Sequence, residues 1–314
     1  MGKLLEGKVA VVTGAGRGLG RSHALALAAE GAAVVVNDLG GSDRGEGADA
    51  GPAAEVVDEI RSAGGKAVAS SDNVADWNAA KRLIDSAYEN FGRLDVLVNN
   101  AGISRFAPLD AGTCRDWDLT IAANLTGSAT TTYWAAKHWQ AVGPRAGRAI
   151  VNTSSPAGTN PLPGSTAYCV SKAGVIALTM ATAGELARLG VRVNAIAPMA
   201  RTRLTDAVKE LDEIMRKPEH GFDRVAPENV SPLVLYLASP RCRFTGRVFG
   251  VEGDDIYLFD GFSANGHFNN RQKRWTPDAI AQALAGIDVQ DRGLMILPGA
   301  RLPGAQPSDL ALEA

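Results

Sequence analysis

Apolar positions fall into short unbroken runs separated by longer Ala-rich stretches with polar faces. Val9–Val12, Ala33–Asn37, Lys66–Ala69, Val96–Val98, Ala149–Thr153 and Arg192–Ala197 read as strands, with a seventh over Gly246–Val251. Between them Arg21–Glu30, Ala53–Ala63, Trp77–Phe91 and Ser171–Leu189 read as helices. Strands that are apolar on both faces and alternate with helices predict an α/β protein with a doubly wound parallel sheet. Three regions break the rhythm. Residues 40–52 (GGSDRGEGADAGP) form a Gly/Asp-rich loop too polar for a core, and residues 199–229 are charged, as a lid over a substrate site is. The pattern predicts a domain over 1–255 and an extension over 256–314 that packs on the domain or on a neighbouring subunit. In the extension Thr276-Pro277-Asp278 ahead of Ala279–Leu284 predicts a capped helix, and 298–314, rich in Pro, Gly and Ala, predicts partial disorder.

Composition narrows the partners. The 314 residues carry 32 Lys and Arg against 34 Asp and Glu, a net charge of −2, which argues against nucleic acid or an anionic membrane as partner. Cys114, Cys169 and Cys242 are odd in number and lack metal-ligand spacing, so a reduced, cytoplasmic protein is expected. The N-terminal segment does not read as a signal peptide. Glu6 stands where myristoylation requires Ser or Thr, and no run of about 18 apolar residues predicts a membrane span. His23, His138, His220 and His267 are scattered, so no metal site is expected.

The first strand runs into Thr13-Gly14-Ala15-Gly16-Arg17-Gly18-Leu19-Gly20 and then a helix. Glycines 14, 18 and 20 let backbone N–H groups approach a pyrophosphate, which the helix N-terminus also attracts. Alone, such a turn also serves as a plain tight connection. Asp38, at the end of the second strand, adds weight, because a carboxylate there accepts from adenosine ribose hydroxyls and repels a 2′-phosphate. Arg17 points the other way, since a guanidinium pairs with a 2′-phosphate. Asp38 meets the ribose directly, so NAD is expected ahead of NADP.

The catalytic signal is Tyr168-Cys169-Val170-Ser171-Lys172. Residues i and i+4 share a helix face, so the Lys172 ammonium is expected beside the Tyr168 phenol, favouring the phenolate as a base. Ser155, after the strand Ala149–Thr153, can hydrogen-bond the same substrate oxygen. Asn99-Asn100-Ala101-Gly102 follows Val96–Val98, and Asn124 follows a helical segment that begins near Trp117.

By these motifs, in this order and spacing, the chain is identified as a member of the short-chain dehydrogenase/reductase family over about residues 6–255. The resemblance implies a Rossmann-type fold and a tetrad of Asn124, Ser155, Tyr168 and Lys172. Tyr168 would be the acid/base, Ser155 would polarise the substrate oxygen, Lys172 would also bind the nicotinamide ribose, and Asn124 would hold a proton-relaying water. It implies that Gly14, Arg17, Gly18, Leu19, Gly20 and Asp38 bind the dinucleotide together with Asp72 and Asn73 near the adenine. Asn100, Ala101 and Gly102 would line the adenosine half, and Pro198 joins this set. A homotetramer is implied as well.

A narrower similarity is to the (3R)-hydroxyacyl-CoA dehydrogenase domains of type 2 multifunctional enzymes of β-oxidation. It rests on Val34–Gly41 with its polar loop, Gly65–Ala69, Pro198-Met199, Arg203-Leu204-Thr205 and Pro227–Leu235. Pro156, directly after Ser155, and the two prolines of Thr159–Pro163 depart from that pattern in the substrate pocket. The substrate is thus a secondary alcohol or ketone, with a CoA thioester among the candidates. NADPH-dependent reduction of 3-oxoacyl thioesters, favoured by Arg17, and oxidation of a cyclic terpenoid or steroid alcohol stay open. A non-catalytic NAD(P) sensor has no use for an aligned Ser155, Tyr168 and Lys172. The charged loop offers Arg201, Arg203, Lys209, Arg216, Lys217 and Arg224 to the phosphates of CoA. Asp206, Glu210, Asp212, Glu213, Glu219 and Asp223 match them, so these cations read CoA only if they segregate to the pocket side.

Overall fold

The computed structural model describes residues 3–206, 215–259, 268–271, 274–285, 295–297 and 300–301. Lys209, Glu210, Asp212, Glu213, His267 and most of 298–314 lie outside the described residues. Residues up to Phe259 form one compact unit and those from Asp260 a second.

The first unit alternates strand and helix. Its elements are β1 Val9–Thr13, α1 Gly18–Ala29, β2 Ala33–Asn37, α2 Gly51–Ser62, β3 Lys66–Ser70, α3 Trp77–Phe91 and β4 Val96–Asn99. They continue with α4 Cys114–Ile121, a π-helical turn Ala122–Thr126, α5 Gly127–Val142, β5 Arg148–Thr153, α6 Pro156–Thr159 and α7 Thr166–Leu186. Then follow β6 Val191–Met199, α8 Arg203–Asp206, α9 Ser231–Ala238, β7 Val248–Glu252 and β8 Asp255–Phe259. The sheet order is β3-β2-β1-β4-β5-β6-β7-β8, parallel except that β8 turns back antiparallel on β7. It has eight strands where the hydrophobic pattern predicts about seven. In the short β8, Ile256 and Leu258 are exposed, so it lacks the unbroken apolar run of a buried strand.

Period-2 alternation sends successive β1 residues to opposite faces. Ala10 and Val12 join Leu27, Val34, Val36 and Val234 in one apolar cluster, while Val9 and Val11 join Leu97, Ile150 and Trp139 in another. Both faces of the sheet are therefore covered. Helix α7 extends, with the 3₁₀ turn behind it, over Thr166–Leu189, which is long and apolar enough in composition to cross a membrane. Here its Val175, Ile176, Thr179 and Ala183 are buried and it packs on β6. It is a core helix of the fold.

Strand order reverses at β1, whose neighbours are β2 and β4. Crevices at such switch points, outside the carboxyl ends of the strands, bind ligands in open α/β sheets. In the second unit, Pro277–Leu284 forms α10, capped by Thr276 Oγ1 accepting from the Ala279 N–H at 3.2 Å, and Met295–Leu297 pairs antiparallel with Ala300–Arg301.

Candidate active site

The turn after β1 brings backbone close to backbone. Gly14 takes φ +62°, and a Cβ there would lie 2.7 Å from Ala101 Cα. A Cβ on Gly20 would collide with the Gly14 carbonyl. Helix α1 begins at Gly18, inside the motif, with Arg17 as its N-cap residue and no side chain capping it. The first-turn N–H groups of Gly18, Leu19 and Gly20 therefore point out with the helix dipole behind them, a donor set suited to a diphosphate. Leu19 packs against the core and anchors the helix. Asp38, buried at the end of β2, accepts from the Gly16 N–H through Oδ2 and the Gly40 N–H through Oδ1, each at 2.7 Å. A carboxylate has about four acceptor sites, so both oxygens keep capacity for ribose hydroxyls. Arg17 forms no ion pair with the described residues.

The segment after β4 is stapled to this turn. Asn100 Nδ2 donates to the carbonyls of Thr13 and Gly14, and the N–H groups of Asn100 and Ala101 both donate to Thr13 Oγ1. Thr13 is thus a positioning residue that the glycine pattern alone does not mark. Asp72 is engaged: Arg82 donates to its Oδ1 at 3.0 Å and Ser70 Oγ to its Oδ2 at 3.0 Å. Asn73 Oδ1 accepts from the Ala75 N–H ahead of α3. Pro198 stands half-buried near the end of β6, opposite Val251.

The four predicted catalytic residues converge at the same edge. Helix α7 starts at Thr166, five residues ahead of the predicted Ser171, so Tyr168 and Lys172 lie within one helix. Lys172 Nζ is 5.7 Å from the Tyr168 ring centre and donates to the Thr153 carbonyl at 2.9 Å. Ser155 caps α6, accepting from the Ala157 N–H, and its hydroxyl lies near enough to the Tyr168 phenol to favour the phenolate. Pro156, which departs from the family pattern, sits at the first helical position of α6, where a missing N–H is harmless. Asn124 lies in the π-helical turn, the kind of local widening common at functional sites. Its Oδ1 accepts from the Ile103 N–H, and its Nδ2 donates to the Ile103 carbonyl and to Ser171 Oγ. The amide is therefore committed to protein partners. Gly102 brings backbone between Asn124 and Lys172, since a Cβ there would lie 3.1 Å from Asn124 Oδ1 and 3.4 Å from Lys172 Nζ.

Electrostatics differ from the sequence expectation. Burial lowers Lys172 to about 8 and raises the Tyr168 phenol above its ordinary value, opposed by the nearby Ser155 hydroxyl. Desolvation of the charged forms is the largest cause of both shifts.

The charged loop also differs. Arg201 pairs with Asp223, and Arg224 is held by Glu252, Asp254 and Asp255 of the β7–β8 hairpin. These two arginines brace the stem of the loop and are spent there. Arg203, Arg216 and Lys217 stay exposed. Phe106, whose ring centre is 6.0 Å from that of Tyr168, and Phe222 leave large apolar surface open. The described residues hold no cluster of three or more His, Cys, Asp or Glu arranged for a metal, and all three cysteines are free.

The short chain dehydrogenase family model matches residues 8–214. The chain belongs to that family, whose enzymes are oxidoreductases that use a nicotinamide dinucleotide. It is 38% identical over 289 residues to the peroxisomal hydratase-dehydrogenase-epimerase of Saccharomyces cerevisiae, covering 91% of this chain but 30% of the yeast protein. It thus spans under a third of that relative's length. It is 39% identical over 292 residues to the hydroxyacyl-CoA dehydrogenase ChsB1 of Mycobacterium tuberculosis, covering 89% of this chain and 88% of that one. Among solved structures, a short chain dehydrogenase from Mycobacterium avium superposes with a TM-score of 0.77 at 43% identity, covering 90% of this chain and 96% of that one. A 7α-hydroxysteroid dehydrogenase complexed with NADH and 7-oxo glycochenodeoxycholic acid superposes with a TM-score of 0.68 at 31% identity, covering 80% and 94%.

Proposed function

We propose that this chain is an NAD-linked dehydrogenase of a secondary alcohol, with (3R)-hydroxyacyl-CoA thioesters as its substrate class. The observation that carries the reading is the convergence of Ser155, Tyr168 and Lys172 beside the uncapped start of α1. When bound, the dinucleotide supplies nicotinamide C4 as acceptor of the hydride. Tyr168 takes the alcohol proton as the C–H bond breaks and the carbonyl forms, and Ser155 donates to the same oxygen. Lys172, fixed by the Thr153 carbonyl, holds a proton next to the phenol and would bind the nicotinamide ribose. The same groups run the reduction in reverse. Asp38 supports NAD, because a 2′-phosphate would meet a buried carboxylate. The names of the relatives support the acyl-CoA class. A homotetramer and a cytoplasmic location belong to the same proposal, by family likeness and by the free cysteines.

Absorbance of reduced nicotinamide tests this reading. NAD and NADP are each supplied with a (3R)-hydroxyacyl-CoA, its free acid and a cyclic secondary alcohol. The expected result is a higher kcat/KM for NAD and for the CoA ester. Asp38→Ala should then weaken NAD and improve NADP, with Arg17 aiding the second. Better use of NADP by the wild type would reverse the weighting of Asp38 over Arg17. A preference for the cyclic alcohol would move the substrate class.

A further inference from the structure

Arg105 takes no part in the chemistry above, yet it is buried and each of its three nitrogens has a partner on another segment. Nε donates to the Arg44 carbonyl at 2.7 Å, Nη1 to Asp116 Oδ1 at 2.6 Å and Nη2 to Glu46 Oε1 at 3.0 Å. Arg44 and Glu46 belong to the loop that follows Asp38. Asp116 opens α4 in a reciprocal cap with Thr113. Together Thr113 and Arg105 hold the Asp116 carboxyl well below the usual carboxylate range, so this arm stays charged.

Two more contacts seat the loop. The Ser104 N–H donates to the Asp43 carbonyl at 3.1 Å, and a Cβ on Gly45 would lie 2.9 Å from Ile103 Cδ1. Ile103 in turn holds the Asn124 side chain at both ends. The residues after Arg105 face the reaction. Phe106 stands beside Tyr168, and Ala107 pairs in a β-bridge with Ser165, directly ahead of α7. Three consecutive residues thus join the loop, the start of α4 and the start of the catalytic helix. Burying a guanidinium costs desolvation, and an apolar side chain would fill the same space at less cost. What the arginine adds is a three-way tie between segments distant in sequence.

We propose that Arg105 is a positioning residue that clamps the loop after Asp38 onto Ile103–Ala107, so that one joint sets both the ribose-facing carboxylate and the Phe106 wall of the substrate cleft. This rests on the reading that a nicotinamide dinucleotide lies along this edge. Releasing the clamp loosens the loop and the wall together but leaves Ser155, Tyr168 and Lys172 in place. The loss falls on binding, not on the chemical step.

The test uses the full chain with Arg105→Gln and Glu46→Gln, each checked for a wild-type circular dichroism spectrum. Trypsin reports the loop through cleavage after the exposed Arg44, followed by mass spectrometry, and NADH fluorescence reports dinucleotide affinity. In Arg105→Gln, cleavage at Arg44 should quicken by about tenfold, since cleavage follows local opening. NADH should bind about tenfold more weakly, the loss expected when a charged hydrogen bond is broken. The KM for the hydroxyacyl-CoA should rise while kcat and its pH midpoint stay near wild type. Glu46→Gln removes one exposed arm and should shift cleavage and affinity the same way by less. In a folded Arg105→Gln, unchanged cleavage, unchanged NADH affinity, or a fall in kcat at constant KM overturns the proposal. If that variant does not fold, unchanged cleavage and affinity in Glu46→Gln overturn it. A wild type that binds neither NADH nor NADPH overturns the dinucleotide reading and this inference with it. A wild type that binds NADH but turns over no hydroxyacyl-CoA counts against the substrate class alone, and cleavage and NADH affinity then decide on Arg105.

Discussion

Tyr168 and Lys172 are pushed in opposite directions by the same burial, and that sets how the pair handles protons. Lys172 at about 8 loses its proton first, while the phenol is held above its ordinary value. Below pH about 8 both groups are protonated and neither accepts a proton from an alcohol. Above it, the pair has lost one proton and shares the other, a coupled titration that belongs to both residues. The kcat/KM for alcohol oxidation should therefore rise through pH about 8. Lys172→Arg keeps a charge that does not titrate in this range, so a midpoint still near 8 in that variant would assign the limb to another group. Tyr168→Phe keeps the ring and removes the proton carrier. Its kcat should fall by at least about 10²-fold, the low end for general acid–base catalysis, with dinucleotide affinity nearly unchanged. Activity within a few-fold of wild type would refute the assignment.

At the scale of elements, α1 both opens out of the glycine turn and seats a buried histidine. His23 is fully buried against α9, its Nδ1 2.9 Å from Ser231 Oγ, and Ser231 also contacts Ser22 Oγ at 2.7 Å. Burial lowers its pKa from 6.5 to about 3. Between those values the unfolded chain binds a proton that the folded protein refuses, so stability is lost as pH falls through this window. From pH 7 to pH 5 the loss amounts to roughly 2 kcal/mol from this one residue. His23→Leu should flatten that part of the pH dependence, measured as the change in urea midpoint between pH 7 and pH 5 in variant against wild type. Equal slopes would show that His23 is not the titrating group. A lone histidine in an Ala-rich helix reads as surface in sequence; only the packing of α1 on α9 makes it core. Other features of the elements were equally out of reach of the sequence. The π-helical turn under Asn124 depends on an i to i+5 register that residue types do not signal. The start of α7 lacks a side-chain cap on its Ser165 N-cap residue, so periodicity alone places it late.

Across the whole molecule, what the sequence makes legible is whatever is local or repeated. The unbroken runs at Val9–Val12 and Ala33–Asn37 announce strands buried on both faces, and the glycine turn and the Tyr168–Lys172 spacing each sit within a few residues. Contacts between distant segments are not legible. The clamp at Arg105 joins positions 44, 46 and 116, and the brace at Arg224 joins the charged loop to a hairpin past residue 250. That brace changes how the substrate question should be asked. Six cations in the loop suggest a reader of CoA phosphates, but Arg201 and Arg224 already serve carboxylates of this chain. Of the described loop residues, Arg203, Arg216 and Lys217 are left exposed to meet an anionic substrate. If they do, the attraction is between solvent-exposed charges and fades with salt, since the screening length shrinks from about 10 Å at 0.1 M to about 3 Å at 1 M. A double charge reversal, Arg216→Glu with Lys217→Glu, should then lower kcat/KM for a (3R)-hydroxyacyl-CoA by about tenfold at low salt, largely through association. The deficit should shrink at high salt. The matching N-acetylcysteamine thioester keeps the reacting end but lacks the phosphates, so its kcat/KM should not respond to either the reversal or the salt. If both thioesters lose activity alike, the loop shapes the pocket without reading charge. If neither does, recognition of the substrate rests on the apolar surface of Phe106 beside Tyr168, and a compact hydrophobic alcohol becomes the better candidate.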